Sequence, residues 1–144
     1  MLMKPLQHAH TRSIAVAASP ATMLAYLSEH RNLPDWAPRF APSISERGGQ
    51  LLVRRDDASE FAIRLEVSAE RGTVDIVSAL DPRRGAFTRV VPNGEGSEYL
   101  FTLLFDPSTE PEVVAAQMTV VEDELAAVRD ACETQATAAE HPVS

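Results

Sequence analysis

One cysteine, Cys132, stands in the whole 144-residue chain, so no internal disulfide can staple the fold, and a reducing, cytoplasmic location is expected. Basic residues are also scarce. Thirteen Lys and Arg against twenty-one Asp and Glu give a formal net charge of -8 and a pI near 4.9. A surface that displaces counterions from phosphates needs the opposite balance. The two basic pairs, Arg54-Arg55 and Arg83-Arg84, sit beside Asp56-Asp57 and Asp81 and read as locally balanced turns or strand ends, so nucleic acid is not expected as a partner. No apolar run approaches the roughly 20 residues of a bilayer-spanning helix, the best being 99–105, so no integral membrane association is expected. The opening MLMKPLQHAHTR lacks the apolar core of a secretory signal. Common catalytic signatures are missing: there is no G-x-S-x-G, no Gly-rich phosphate loop and no H-E-x-x-H. His8-Ala9-His10 is the one histidine pair and has no carboxylate or thiol near it in sequence. Neither a metal nor a cofactor is expected.

What remains is the composition of an ordinary folded domain, 44% hydrophobic and 24% charged. A chain of this length buries about two-thirds of its unfolded surface, enough for one core. No repeat or linker divides it. A single domain over 1–144 is expected, with its core at 12–133, an N-terminal arm at 1–11 and a loose tail at 134–144.

Residues 12–18 (RSIAVAA) alternate Ile14 and Val16 and stop at Ser19-Pro20, a Ser N-cap with Pro at the first helical position. A strand leading into a helix follows. That helix, from Pro20 to about Ser28, gathers Met23, Leu24 and Leu27 on one side, and a second helical turn is predicted near Asp35-Trp36. After Pro42 the period becomes two. Leu51-Val53, Phe61-Ile63-Leu65-Val67, Val74-Ile76, 87–91 and Tyr99-Phe101-Leu103-Phe105 alternate, with turn residues at Gly48-Gly49, Arg71-Gly72, Asp81-Pro82 and Asn93-Gly94-Glu95-Gly96. Such short turns make an antiparallel meander of five or six strands. Thr109 and Glu112 form a capping-box pattern around Pro111. Val114, Met118, Val121, Leu125, Val128 and Cys132 then recur at steps of four and three, one buried stripe of a long helix. Past Glu133 the periodicity is lost. The fold class is α+β.

This order of elements resembles the START-like superfamily, also called SRPBCC or polyketide cyclase/dehydrase-like. SIAVAASPATMLAYLSEHRNLPDWAP is similar to the superfamily's opening, an apolar strand, a Pro-started helix and an Asn-Leu-Pro-x-Trp-Ala segment. RVVPNGEGSEYLFTLLF resembles the closing hairpin of a subgroup described mostly as cyclase-like or uncharacterised. The resemblance covers residues 12–133 and implies a helix-grip fold: a curved antiparallel sheet of six or seven strands around a long C-terminal helix. It also implies a cavity between sheet and helix for a small, largely apolar or aromatic molecule, such as a lipid, quinone or polyketide-like compound. Neither motif is itself catalytic. Asn32-Leu33-Pro34-x-Trp36 has a packing reason, and Asn93-Gly94-x-Gly96 a turn-conformation reason.

Alternation gives the inward positions on which such a cavity would depend. They are Phe61, Ile63, Leu65 and Val67 in one strand, Tyr99, Phe101, Leu103 and Phe105 in the last, and Met118 and Val121 from the helix, with Trp36 and Phe40 near the mouth. Phe87 joins them if its strand turns that face inward. The same residues also read as a close-packed core with no useful void. A cyclase or dehydratase needs a positioned acid or base, and Arg64, Glu66 and Asp75 fall on outward positions. The polar candidates are Tyr99, Gln117, His30 and Arg89. Tyr99 can donate to a carbonyl or simply keep its hydroxyl wet. Gln117 flanks the helix stripe, His30 closes the first helix where its charge opposes the dipole, and Arg89 is inward only with Phe87 and Val91. Cys132 reads as a small buried apolar residue. The expected function is therefore a carrier or sensor of a small apolar ligand. The alternatives are a cyclase/dehydratase-type enzyme acting on such a ligand, or a protein-interaction module or homodimer using the outward Leu100 and Leu104.

Overall fold

The computed structural model describes residues 5–140. Strand β1 (His8–Val16) leads into helix α1 (Pro20–Ser28), a 3₁₀ turn (His30–Asn32) and the short helix α2 (Leu33–Trp36). Strands β2 (Ser43–Arg47), β3 (Gln50–Arg54), β4 (Glu60–Ser68), β5 (Thr73–Ser78), β6 (Gly85–Asn93) and β7 (Gly96–Phe105) follow, then the long helix α3 (Pro111–Glu140). The order and the antiparallel meander are those the sequence pattern predicts. Ser19 caps α1 by accepting the Thr22 N–H at 3.2 Å, relieving one of the unpaired donors of a first helical turn. Asn32 donates from Nδ2 to the Tyr26 carbonyl at 2.9 Å. That bond ties the end of α1 to the turn that delivers Leu33 and Trp36 into the core.

The seven strands form one antiparallel sheet in the order β1-β7-β6-β5-β4-β3-β2, so the first and last strands of the chain are neighbours. Tyr99 lies opposite Ile14 on one side and Val90 on the other. Phe101 lies between Arg12 and Thr88, and Leu65 pairs with Ile76. The β6–β7 turn closes on Asn93 and Gly96, with Gly94 at φ +58, the left-handed backbone that a two-residue hairpin asks of its first residue. A Cβ on Gly96 would collide with the Val16 carbonyl oxygen, so glycine there lets β7 start hard against the end of β1.

Helix α3 lies across the concave face and buries Met118, Val121, Leu125, Val128 and Cys132, the stripe read from the sequence. Two contacts tie it to β1 and the residue that follows it. Arg12 Nε is 3.2 Å from Glu122 Oε1, and the Ala17 N–H donates to Glu133 Oε2 at 2.8 Å.

Several expectations are corrected. The N-terminal arm is shorter than 1–11, because His8 to Thr11 pair with Phe105 to Thr102. The strand is disguised in sequence because its inward positions there, His8, His10 and Arg12, are polar. The tail likewise begins later than 134, since α3 continues to Glu140. Ala-rich sequence favours helix without an apolar stripe, and the Thr134 and Thr137 hydroxyls donate back to the Asp130 and Glu133 carbonyls. His141 to Ser144 lie outside the described residues. The capping box does not form as predicted: the Glu110 carbonyl takes the Val113 and Val114 N–H groups. In β6 the buried residues are Thr88 and Val90, while Phe87 is half-buried and Arg89 exposed. Pairing decides this, because Tyr99 and Phe101 face the concavity and sit opposite Val90 and Thr88. Phe87 and Arg89 therefore belong to the convex face. Val67 keeps the concave parity of β4 yet is 43% exposed near the strand's end.

Candidate functional site

The grip holds a buried aromatic group. Phe101 meets Trp36 and Tyr99 edge-on, each with ring centroids 6.5 Å apart, and all three rings are buried. Phe40 stacks edge-on against Phe61 at 5.7 Å, with the Arg55 guanidinium 5.7 Å from the centre of the Phe61 ring; neither Phe40 nor Phe61 lines the cleft at the start of α3. Such T-shaped pairs use the positive ring edge against the negative face.

Two polar groups stand inside this apolar wall. Tyr99 is 0% exposed, and its hydroxyl has no hydrogen-bond partner. The Thr88 hydroxyl lies beside it; its own proton goes to the Val74 carbonyl, which leaves its oxygen able to accept from the phenol after a small rotation. Burial pushes the phenol's pKa well above its ordinary value, with the Thr88 hydroxyl opposing. Glu124 is 7% exposed on α3. Burial raises its carboxyl to about 7, with the charge of Arg39 opposing and that of Asp123 assisting. It is near enough for its charge to raise the Tyr99 phenol further. Tyr26 is pushed up to about 12 and Cys132 to about 11, both mainly by burial. A thiol so raised is not a nucleophile near neutral pH.

A cleft of about 580 Å³ opens at the start of α3, between β1 and the loop that follows β7. His8, His10 and Arg12 line one side, residues 107–111 the rim, and Val114, Ala115 and Met118 the helix side. His10 is edge-on to Phe105 at 5.5 Å, and Arg12 is held by Glu122. Met118 is buried in the core as well as lining this cleft, so it separates the opening from the aromatic interior. A second, more open hollow, along the far half of α3, is lined by Asp130, Glu133, Thr134, Thr137 and Ala138.

Of the residues singled out from sequence, Trp36, Ile63, Tyr99, Phe101, Met118 and Val121 are buried together. Phe40, Phe61, Leu65 and Leu103 pack against them half-buried. Gln117 is exposed on the helix, and Arg89 and Phe87 face away. His30 lies half-buried beside Glu29, Nδ1 to Oε1 3.7 Å, outside the grip. The four polar candidates thus do not converge, and Tyr99 alone enters the interior. Glu124, Thr88 and the row His8, His10, Arg12 were not anticipated. Glu124 had a signal: it falls three residues after Val121 and four before Val128, a carboxylate within the buried arc. Among the described residues no three of His, Cys, Asp and Glu are grouped to hold a metal ion.

No family model matches the chain, and no curated protein matches it. Solved structures do. An uncharacterised protein from Bacillus thuringiensis superposes with a TM-score of 0.67 at 18% identity, covering 87% of this chain and 98% of that one. Zhui aromatase/cyclase from a Streptomyces species gives 0.65 at 15% identity, over 88% and 94%. A START superfamily protein from Mycobacterium smegmatis gives 0.61 at 16% identity, over 89% and 99%. These likenesses, together with the sheet order and the placement of α3, show that the chain has the helix-grip fold of the START-like (SRPBCC) superfamily.

Proposed function

We propose that the protein binds a small, largely apolar or aromatic molecule between the concave face and α3, admitted through the cleft at the helix start, and acts as a carrier or sensor. The observation that carries this reading is the position of Met118, which lines the cleft and also belongs to the buried core. A methionine is unbranched and polarizable and refills irregular space at low cost, so it suits a wall that must move aside for a ligand. The protein's lone cysteine accords with work in the cytoplasm, where we place it. Titration with the neutral fluorophore N-phenyl-1-naphthylamine tests the reading. Saturable one-to-one enhancement is expected. Ala115→Trp, which fills the cleft from an exposed helix position, should weaken binding at least tenfold without lowering Tm. Unchanged binding in that variant refutes the entry route, and no saturable binding by the wild type refutes the function.

One observation favours a second reading, acid–base chemistry of the cyclase or dehydratase kind. Glu124 is a buried carboxyl raised to about 7, the range in which a general acid works at neutral pH. Dehydration of a β-hydroxy ketone such as 4-hydroxy-4-phenylbutan-2-one to the enone and water, followed by absorbance, should then fall by about 100-fold or more in Glu124→Gln. A homodimer through the convex face has weaker support, because Leu104 is 41% exposed but Leu100 is half-buried.

A further inference from the structure

Along the inward side of β1 the character of the strand changes halfway. Val16 is part of the buried core and Ile14 packs against it. His8, His10 and Arg12 hold the same alternating positions but line the cleft at the start of α3. The facing side is apolar, made by Val114, Ala115 and Met118. The cleft is therefore two-sided, with hydrogen-bond donors along one wall and hydrocarbon along the other.

Those donors are only partly committed. Arg12 gives Nε to Glu122 at 3.2 Å and Nη1 to the Thr11 carbonyl at 3.0 Å, which leaves Nη2 unpaired among the described residues. His10 meets the edge of the Phe105 ring, and neither imidazole makes a hydrogen bond or ion pair among the described residues. Three carboxylates lie around this row. Glu122 is occupied by Arg12. Asp106, close enough for the charge of His8 to act on it, accepts the Ser108 N–H and hydroxyl. Glu110, on the rim, is the one acidic residue that lines the cleft. Guanidinium and imidazole N–H groups side by side fit an acceptor that carries negative charge, whereas a neutral apolar ligand needs none of them.

We infer that the ligand of this cleft is an amphiphilic acid, its apolar body against Val114, Ala115 and Met118 and its single carboxylate on Arg12 Nη2, with His8 and His10 beside it. This rests on the ligand-site reading above and adds a charge which that reading does not require. A hydrogen bond from a guanidinium to an ionised acceptor is roughly twice as strong as a neutral one, so the charged end fixes the orientation in which the apolar end meets Met118.

The experiment displaces N-phenyl-1-naphthylamine with decanoate and with 1-decanol at pH 7, two compounds of one chain length that differ in charge. It uses the wild type, Glu122→Gln and Arg12→Gln/Glu122→Gln, so that the two variants differ by one cation and neither leaves a carboxylate unpaired. Arg12 and Glu122 are 40% and 58% exposed, an ion pair of little weight in the fold. Glu122→Gln should bind decanoate at least as tightly as the wild type. Arg12→Gln/Glu122→Gln should bind it about tenfold more weakly than Glu122→Gln, and decanol should bind all three proteins alike. Equal decanoate affinity in the two variants, or acid and alcohol weakened together, overturns the inference while saturable binding of the fluorophore leaves the ligand site standing. If the wild type binds neither compound nor the fluorophore, the ligand-site reading fails and the inference falls with it.

Discussion

Glu124 is kept as a neutral acid by its surroundings over a pH range in which an exposed glutamate is ionised. With its folded pKa raised from 4.5 to about 7, the group adds nothing against folding below pH 4.5, where both states are protonated. Between 4.5 and 7 the unfolded chain releases the proton while the folded one holds it, so stability falls as pH rises. Above 7 the full penalty, about 3 kcal/mol, is present. Glu124→Gln removes that component. Urea denaturation should show the variant more stable than wild type at pH 8 and close to it at pH 4.5; equal pH slopes would contradict the burial of the acid. Glu29, Asp57, Asp81 and Asp106 have lowered pKa values from bonds to Arg31, Ser59, Arg83 and Ser108. Their contribution runs the other way, present above the unfolded pKa and lost as pH falls, and it cancels in the comparison of the two proteins. The sequence hides Glu124 because alternation and stripe rules assign charged residues outward, and only the 3–4 spacing to Val121 and Val128 argues otherwise. Tyr99 could be placed inward from its strand, but nothing in the sequence says whether its hydroxyl finds a partner, since that depends on what Thr88 bonds to.

At the scale of elements, strand and helix identity follows from period and punctuation. Ser19-Pro20 fixes the start of α1, and the cap bond from Thr22 predicts that Ser19→Ala costs about 1 kcal/mol in chemical denaturation. The β6–β7 hairpin was legible from Asn93-Gly94-x-Gly96. Its packing against the end of β1 was not, because a close backbone approach leaves no trace but a glycine. Gly96→Ala should lose about 2 kcal/mol or more, with amide exchange faster at Val16 and Ser97; a near-neutral change would mean that β1 and β7 separate easily there. The face of β6 stays open in the sequence for a related reason. A strand with Phe87, Thr88, Arg89, Val90 and Val91 has apolar side chains of both parities, and the register with β7 decides which parity is buried. β1 was truncated because His8, His10 and Arg12 line an open cleft, where the period-two rule of a buried face does not apply.

For the whole molecule, β1 beside β7 and α3 across the concavity make a grip, with an open cleft at the start of the helix. The sequence carries this architecture because each turn is short and the one long apolar stripe has one sheet face to cover. It does not carry the site's shape, because a cavity is what side chains leave unfilled, and the same inward list describes a packed core and a ligand pocket. Here the large inward residues pack closely around Phe101, and the open space lies beyond Met118. A ligand entering by the proposed route would have to move that side chain.

The most direct test follows the methyl group of Met118 in the NMR spectrum of protein labelled with methyl-13C methionine, during titration with N-phenyl-1-naphthylamine. Met23, on the buried side of α1, serves as the internal control. The predicted result is a saturable shift of the Met118 resonance with the Met23 resonance unmoved. A Met118 methyl that stays in place while the fluorophore binds, or a spectrum unaltered at saturating fluorophore, would contradict a ligand site entered at the start of α3.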